Sequence, residues 1–307
     1  MTRFIIIRVL QSIVALFGIL VLVFFLVRAS GDPMRLIESP NMTTAQYEAI
    51  KAKWGLDKSW GEQFILYMGH LAHGDLGKSL IRDQPEIYMI KLALPNTLKL
   101  IIPSFIVGML LALVLGITAA TYRDSFWDNG VKFLAVLGQA LPGFWVAIMA
   151  VLIFSVDLRW LPVAGMTKPA NYVLPVGTMV FFMMPGMMRL VRSSMLDVLD
   201  SEYVKLARIK GLPERLVIWK HALRNALISP LTVAGMIFAM FITGAVITET
   251  IFNWPGLGRL LVEDTFSRDF AGVQAITIIV AIFVLGINLL VDISYAFIDP
   301  QIRYQRS

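Results

Sequence analysis

The sequence predicts an all-α membrane protein with six transmembrane helices, both termini cytoplasmic, and a structured extracytoplasmic insertion after the first helix. Three observations carry this. The 307 residues are 57% hydrophobic and only 16% charged, with a mean hydropathy of +0.73, whereas a soluble domain holds about 45–50% apolar and about 25% charged residues. A larger core does not absorb the difference, because a soluble chain of this size still needs a charged exterior; a bilayer does. The second observation is a set of apolar runs at 9–27, 98–121, 133–156, 173–188, 231–250 and 273–298, each near the roughly 20 residues that cross a hydrocarbon core. The third is the distribution of basic residues. Arg3, Arg8, Arg123, Lys132, Arg189, Arg192, Lys205, Arg208, Lys210, Arg215, Lys220, Arg224, Arg303 and Arg306 fall on one side, against Arg159, Lys168, Arg259 and Arg268 in the short loops of the other. Basic excess marks the cytoplasmic side.

The first run follows Arg3 and Arg8 and has the outline of a signal peptide. Its apolar stretch exceeds the 7–15 residues of such a segment, and Arg28-Ala29-Ser30-Gly31 is a poor small-residue cleavage site, so it reads as a retained helix over 1–29. Region 30–96 is expected to fold outside the membrane: Trp54, Trp60, Phe64 and Tyr67 and helical spacing across 62–71 do not suit a Gly/Ser-rich or Pro-rich tether. Residues 97–298 form the core, with a cytoplasmic loop at 189–228 and a cytoplasmic tail at 299–307.

Several chemistries are excluded or weak. With no cysteine, thiolate nucleophiles, Fe–S clusters and Cys-bound zinc are ruled out. The net charge of +6 fits cytoplasmic loops rather than a nucleic-acid partner. Residues 72–79, Ala72-His73-Gly74-Asp75-Leu76-Gly77-Lys78-Ser79, approach a phosphate-binding loop but lack its first glycine and the strand that must precede it; a turn is expected, and no ATP site. His70 and His73, three apart, lack a third ligand for zinc. No cofactor or metal is assigned to this chain. No catalytic constellation is present, so an enzyme is not expected. Met179, Met183, Met184, Met187 and Met188 suit either a permissive pathway or gap-filling between helices. Glu249, Asn288 and Asp292 are polar groups in or beside spans, where such residues face a bundle interior or water. Pro103, Pro142, Pro175, Pro185 and Pro230 are candidate kinks.

The loop at 189–228 is far longer than a connection needs. Asp200 or Ser201 is placed to cap a helix with Glu202 in its first turn. Residues 203–210 continue it, and Gly211 is a natural terminator. Pro213 opens a second helix, along which Leu216, Trp219, Leu223 and Leu227 make an apolar stripe. A basic surface for anionic lipid accounts for the charge. It leaves the Gly-Leu-Pro break unexplained, whereas a compact docking knob for a cytoplasmic partner accounts for both.

Residues 202–212, Glu202-Tyr203-Val204-Lys205-Leu206-Ala207-Arg208-Ile209-Lys210-Gly211-Leu212, followed by His221-Ala222-Leu223-Arg224-Asn225-Ala226, resemble the coupling loop of ATP-binding-cassette importer permeases in the dipeptide/oligopeptide/nickel branch. Against that superfamily's EAA…G pattern Ala207 and Gly211 fit, while Lys205 stands where Glu is expected, as is usual in the branch. Gly31-Asp32-Pro33, Gly55-Leu56-Asp57 and Gly74-Asp75-Leu76-Gly77 are similar to the family's N-terminal region. Phe252-Asn253-Trp254-Pro255-Gly256-Leu257-Gly258 resembles its loop before the last span, and Asn288-Leu289-Leu290-Val291-Asp292 with Asp299-Pro300-Gln301-Ile302-Arg303 resembles its C-terminal signature.

The resemblance implies a type I importer permease fold in a prokaryotic inner membrane. It implies a second homologous permease as heterodimer partner, two ATPase subunits that bind ATP and Mg, and an extracytoplasmic solute-binding protein. Glu202, Tyr203, Ala207, Lys210, Gly211 and Leu212 would couple to an ATPase, and Trp254, Pro255, Gly256 and Gly258 would sit in a loop contacting the binding protein. The implied cargo is a di- or oligopeptide or a related small peptide such as glutathione, with a nickel or nickel-chelate permease as alternative. The rival class is a self-contained secondary transporter, which usually carries inverted repeats or mid-span ionisable residues; neither is found.

Overall fold

A computed structural model describes residues 2–31, 43–79 and 81–298. The Asp32-Pro33 step, Leu80 and the 299–307 tail, with Arg303, Arg306 and the Asp299–Arg303 pattern, lie outside the described residues. Helices dominate: α1 (Thr2–Ala29), α2 (Thr44–Lys53), α3 (Trp60–Ala72), α4 (Glu86–Thr121), α5 (Phe126–Ala140), α6 (Gly143–Ala150), α7 (Ala170–Leu199), α8 (Glu202–Ile209), α9 (Glu214–Leu216), α10 (Leu223–Ala226), α11 (Ile228–Ile251), α12 (Leu257–Phe266) and α13 (Phe270–Ile298). Among the described residues, five stretches are long and apolar enough to cross a membrane: Ile5–Ala29, Glu86–Thr121, Ala170–Leu199, Ile228–Ile251 and Phe270–Ser294.

The expected third span, 133–156, is not one straight helix. α5 and α6, the latter continued by π-helical turns over Val151–Asp157, meet at a 100° bend. Proline removes an N–H and drives the residue before it out of the α region, and Leu141 and Pro142 are both extended, at ψ 129° and 134°. By contrast Pro95 and Pro103 lie within continuous α4, and Pro175 and Pro185 within α7. Two boundaries also move. α4 begins at Glu86, so the insertion's last residues are helix, and α7 runs on to Leu199, so the 189–228 loop starts as three further turns of a span.

The insertion folds onto α1. Thr43 with Gln46 and Ser59 with Glu62 form reciprocal caps at the starts of α2 and α3, each satisfying two otherwise orphaned N–H groups. Phe64 on α3 meets the rings of Phe17, Phe24 and Phe25. Arg28 Nε donates to Gln63 Oε1 at 2.8 Å, and its guanidinium sits 3.5 Å over the Phe24 ring.

The centre of the molecule is the pair α4 and α7, packed along their length. A Cβ at Gly116 would stand 2.8 Å from the Met188 carbonyl oxygen and from Val191, and one at Gly108 would stand 3.2 Å from Met183 Sδ. Met179, Met183, Met187 and Met188 are buried in this seam and its extensions and Met184 is half-buried against it, which favours gap-filling within the chain for the methionine cluster. α5 joins through Gly138, against which the Pro185 ring packs. α13 lies against both α1 and α11, and Arg8 Nε pairs with Asp292 Oδ2 at 3.3 Å.

Overpacking at such a seam costs about 1–3 kcal/mol. Gly116→Ala is expected to lower the unfolding temperature of the detergent-solubilised protein, whereas Gly177→Ala, with nothing within 4 Å of its Cβ position, leaves it unchanged or slightly raised.

Candidate functional site

Two constellations sit at opposite ends of α4. At 36 residues and 1.5 Å per residue this helix is about 54 Å long, more than the roughly 30 Å hydrocarbon core.

At its C-terminal end lies the knob built on α8. Val204 and Ala207 point inward and are buried beside Ala119, Ala120, Met195, Leu199, Val217 and Ala222. Tyr203, Leu206 and Ile209 point outward, Ile209 being 81% exposed. Ser201 is the N-cap, but its hydroxyl donates back to the Val198 carbonyl at 2.5 Å rather than accepting from the helix. The far end closes as the sequence suggests: Gly211, at φ +78°, donates to the Arg208 carbonyl at 2.9 Å and Leu212 to that of Ala207 at 3.4 Å, a Schellman arrangement that needs a left-handed residue at the glycine.

Arg208 then ties three elements together. Its Nη2 and Nε donate to Glu214 at 2.7 and 3.2 Å, and its Nη1 to the Leu199 carbonyl at 3.4 Å. The Arg208 guanidinium holds the Glu214 carboxyl below the usual carboxylate range. Asn225 Nδ2 donates to the Tyr203 hydroxyl at 2.8 Å, and Glu202 pairs with Lys205 at 2.9 Å. Lys210 is the C-cap of α8 and is exposed.

The second helix of the knob departs from expectation. Pro213 is its N-cap rather than its first residue, and between α9 and α10 the chain makes π-helical turns over Val217–Ala222. The buried positions are accordingly Val217, Ile218, Ala222 and Ala226; of the expected stripe Leu223 packs against the same core, Leu216 and Leu227 are half-buried, and Trp219 is exposed. A π turn takes more residues than an α turn, so it shifts the phase of everything after it.

Beside the knob a buried carboxylate locks α5 to α7. Asp128 accepts from Arg192 Nε and Nη2 at 2.6 and 2.8 Å, from Lys132 Nζ at 2.8 Å and from the Asp124 amide at 3.0 Å. Sequence reading passed over this pair; the only local cue is Ser125, whose hydroxyl caps α5 by accepting from the Asp128 amide.

At the other end, α12 starts in the interior. The first four N–H groups of a helix lack intrahelical partners, and here side chains of other helices take up three of them. Leu257 donates to Thr97 Oγ1 at 2.8 Å, and Gly258 and Arg259 donate to Glu249 Oε2 at 2.7 and 3.0 Å. Thr97 Oγ1 in turn donates to Glu249 Oε1 at 2.7 Å. The fully buried Glu249 thus places its carboxylate at a helix N-terminus, where negative charge is favoured. A side chain at Gly256 would collide with that carboxylate, and one at Gly258 with the Val246 backbone.

Trp254 is fully buried, its Nε1 donating to the Asn96 carbonyl at 2.8 Å and its ring edge-on to Tyr172 at 4.7 Å. Asn96 Nδ2 returns a bond to the Pro255 carbonyl at 3.0 Å. Of the expected contact loop, Trp254, Gly256 and Gly258 therefore face inward; Pro255 and its neighbour Asn253 are the exposed positions.

The remaining singled-out groups are accounted for locally. Residues 72–79 form a turn with Gly74 and Gly77 at φ +77° and +91°, closed by the Gly77 amide on Asp75 Oδ1 at 2.9 Å. His70 Nδ1 lies 3.2 Å from Asp75, and His73 Nδ1 2.8 Å from the Gly69 carbonyl. Asn288 is exposed on α13.

Comparison with known proteins covers almost the whole chain. Residues 112–304 match the family described as binding-protein-dependent transport system inner membrane component, and residues 1–101 match the corresponding N-terminal family. The oligopeptide transport system permease protein AppB of Bacillus subtilis is 37% identical, with 99% of this chain and 100% of that protein covered. A putative peptide transport system permease of Brucella abortus is 39% identical over 99% of this chain and its own full length. The glutathione transport system permease protein GsiC of Salmonella choleraesuis is 38% identical with the same coverage. Among solved structures, an amino acid ABC transporter crystallised with histidines aligns with 69% of this chain and 95% of its own, at a TM-score of 0.56 and 16% identity, which speaks to the fold.

Removing one partner from a buried charged network costs about 3–5 kcal/mol. Glu249→Ala, which strands the Gly258 and Arg259 amides and the Thr97 hydroxyl, is expected to abolish accumulation of folded protein in membranes. Glu249→Gln, which keeps an acceptor, is expected to retain a measurable fraction by size-exclusion profile.

Proposed function

The chain belongs to the family of binding-protein-dependent transport system inner membrane components, and from that premise we propose that it is the permease subunit of an ATP-driven importer for di- or oligopeptides or related small peptides such as glutathione. Both termini lie in the cytoplasm, and the chain pairs with a second, homologous permease to complete the pathway. Two ATPase subunits, which bind ATP and Mg, engage the α8 end; a solute-binding protein delivers cargo at the α12 end. Pro255 and the α2–α3 insertion face the binding protein, with Trp254, Gly256 and Gly258 holding that loop in shape from beneath.

The observation that carries this reading is the two-faced α8. Its inner face, Val204 and Ala207, is rooted in the same core as the ends of α4 and α7, while Tyr203, Leu206 and Ile209 leave an apolar outer face in water. An exposed apolar patch rimmed by Glu202, Lys205 and Lys210 has the composition of a protein contact. Closure of the ATPase pair pulls on this rooted helix. Arg208 and the Asp128–Arg192 lock pass the displacement to α7 and α5 as a rigid unit, and the pathway switches its open side. Cargo enters from the binding protein and leaves inward.

The test is co-purification from gently solubilised membranes. With Leu206→Glu and Ile209→Glu, both on the exposed face, the ATPase subunits recovered with the native chain are expected to fall at least ~10-fold, equivalent to about 1.4 kcal/mol of lost contact, while the second permease still co-purifies. Gly211→Glu, which forces a side chain into the left-handed position, is expected to do the same. Undiminished ATPase recovery with all three variants would overturn the assignment of α8 as the coupling element.

A further inference from the structure

Close to the α12 site, but separate from the Glu249 network, lies a cluster that the transport reading does not use. Glu86 at the start of α4, Asp264 on α12 and Asp269 at the head of α13 are each fully buried. The turn that follows α3 is pinned on them. Ser79 Oγ donates to Asp269 Oδ2, and the Arg82 guanidinium pairs with Asp264 Oδ1. The turn holds itself together as well: the Arg82 amide donates to Ser79 Oγ at 2.9 Å, the Ser79 amide to the Gln84 carbonyl at 2.9 Å, and the Glu86 amide to the Gly77 carbonyl at 3.0 Å. Gly272, lacking a Cβ, lets the Asp264 carboxylate lie directly against α13.

Charge does not balance in this cluster. The charged groups acting on Glu86 are Asp269, Asp264 and Arg82, and those acting on Asp264 are Arg82, Asp269 and Glu263. Glu263 is turned outward to Arg259 at 2.7 Å, and Lys78 is engaged by Asp83 on the exposed side of the turn. One guanidinium therefore serves three buried carboxyls. Both oxygens of Glu86, with Asp264 Oδ2 and Asp269 Oδ1, meet no donor among the described residues. Buried carboxylates without partners take up protons rather than remain charged.

We propose that Glu86 and Asp264, facing the buried Asp269, form a proton-binding site whose protons latch Ser79 and Arg82 to α12 and α13. A proton on one carboxyl becomes the donor that a neighbouring carboxylate lacks, as in paired carboxyls generally. Deprotonation leaves two uncompensated charges in a buried cluster, and Ser79 and Arg82 part from α12 and α13 to admit water.

The direction with pH follows from the same packing. Burial pushes the Asp264 carboxyl up from 3.8 to about 7, with Arg82 opposing the rise and Asp269 and Glu263 adding to it. A latch that holds its proton more tightly than the opened, hydrated state is firmest below about pH 4. It loosens as pH rises through the interval up to about 7, and is flat above. For one proton the slope is ~10-fold per pH unit.

Hydrogen–deuterium exchange on the full chain in lipid nanodiscs reads this directly, in peptides that carry Ser79 and Arg82 and in those that span α12 to the head of α13. After correction for the intrinsic pH dependence of exchange, the opening constant is expected to rise ~100-fold from pH 5 to pH 7 and to level off by pH 8, while peptides of α8 show no such slope. Neutralising all three carboxyls together (Glu86→Gln, Asp264→Asn and Asp269→Asn) removes the slope; should that variant not accumulate, Glu86→Gln alone is read in its place and lowers it. A flat profile in the native chain, or a slope that survives neutralisation, would overturn the proposal. The readout needs neither cargo nor ATPase, so it stands or falls independently of the transport assignment.

Discussion

The closeness of α4 to α7 is the contact on which both functional ends depend. In lipid no hydrophobic force draws helices together, so association rests on close van der Waals fit and on small residues that let backbones approach. Gly108 and Gly116 provide that approach on α4, Gly138 extends it to α5, and flexible methionine side chains from α7 fill what remains. The knob at one end and the α12 network at the other are built on the same two rods. Neither needs its own scaffold, since α8 folds straight back onto the ends of α4 and α7, and α12 is capped by a threonine from α4 and a glutamate from α11.

Burial of polar groups is handled oppositely at different sites. Glu249 and Asp128 are fully buried, yet every oxygen has donors: two amides and a hydroxyl for the first, a guanidinium, an ammonium and an amide for the second. Fully satisfied networks of this kind fix one geometry and resist rearrangement. The Glu86, Asp264 and Asp269 cluster, at the α12 end with Glu249 and at the opposite end from Asp128, is left short of donors. The contrast separates parts of the molecule that hold shape from a part whose shape depends on conditions.

Five of the six expected spans were legible because a membrane helix writes its presence as a long apolar run; the run at 133–156 has a bent pair of helices in its place. The boundaries were less so: α4 and α7 run past their apolar stretches into polar and charged residues, Glu86 and Arg192 among them, that hydropathy assigns to loops. The break at Leu141–Pro142 carried a signal, the proline itself, but Pro95, Pro103, Pro175 and Pro185 carry the same signal inside unbroken helices. Context outside the sequence window decides between them. The end of α8 was readable to the residue because Gly211 obeys a local rule. The inward face of the segment after it was not, because π turns change the helical period midway. Trp254, Gly256 and Gly258 were recognisable as a pattern, yet their reason lies in Glu249 at the end of the preceding helix together with Thr97 on α4. No local reading supplies the threonine.

The length of α4 has a mechanical consequence. A rod of about 54 Å exceeds a hydrocarbon core of roughly 30 Å, and whatever grips one end holds a lever. Rocking by about 10° around its midpoint carries each tip about 5 Å, close to the 5.4 Å pitch of a single helical turn. Because the tips move in opposite senses, a small pull at the α8 end arrives at the α12 end as a displacement of equal size and reversed direction, with no relay of side-chain rearrangements through the bilayer between them.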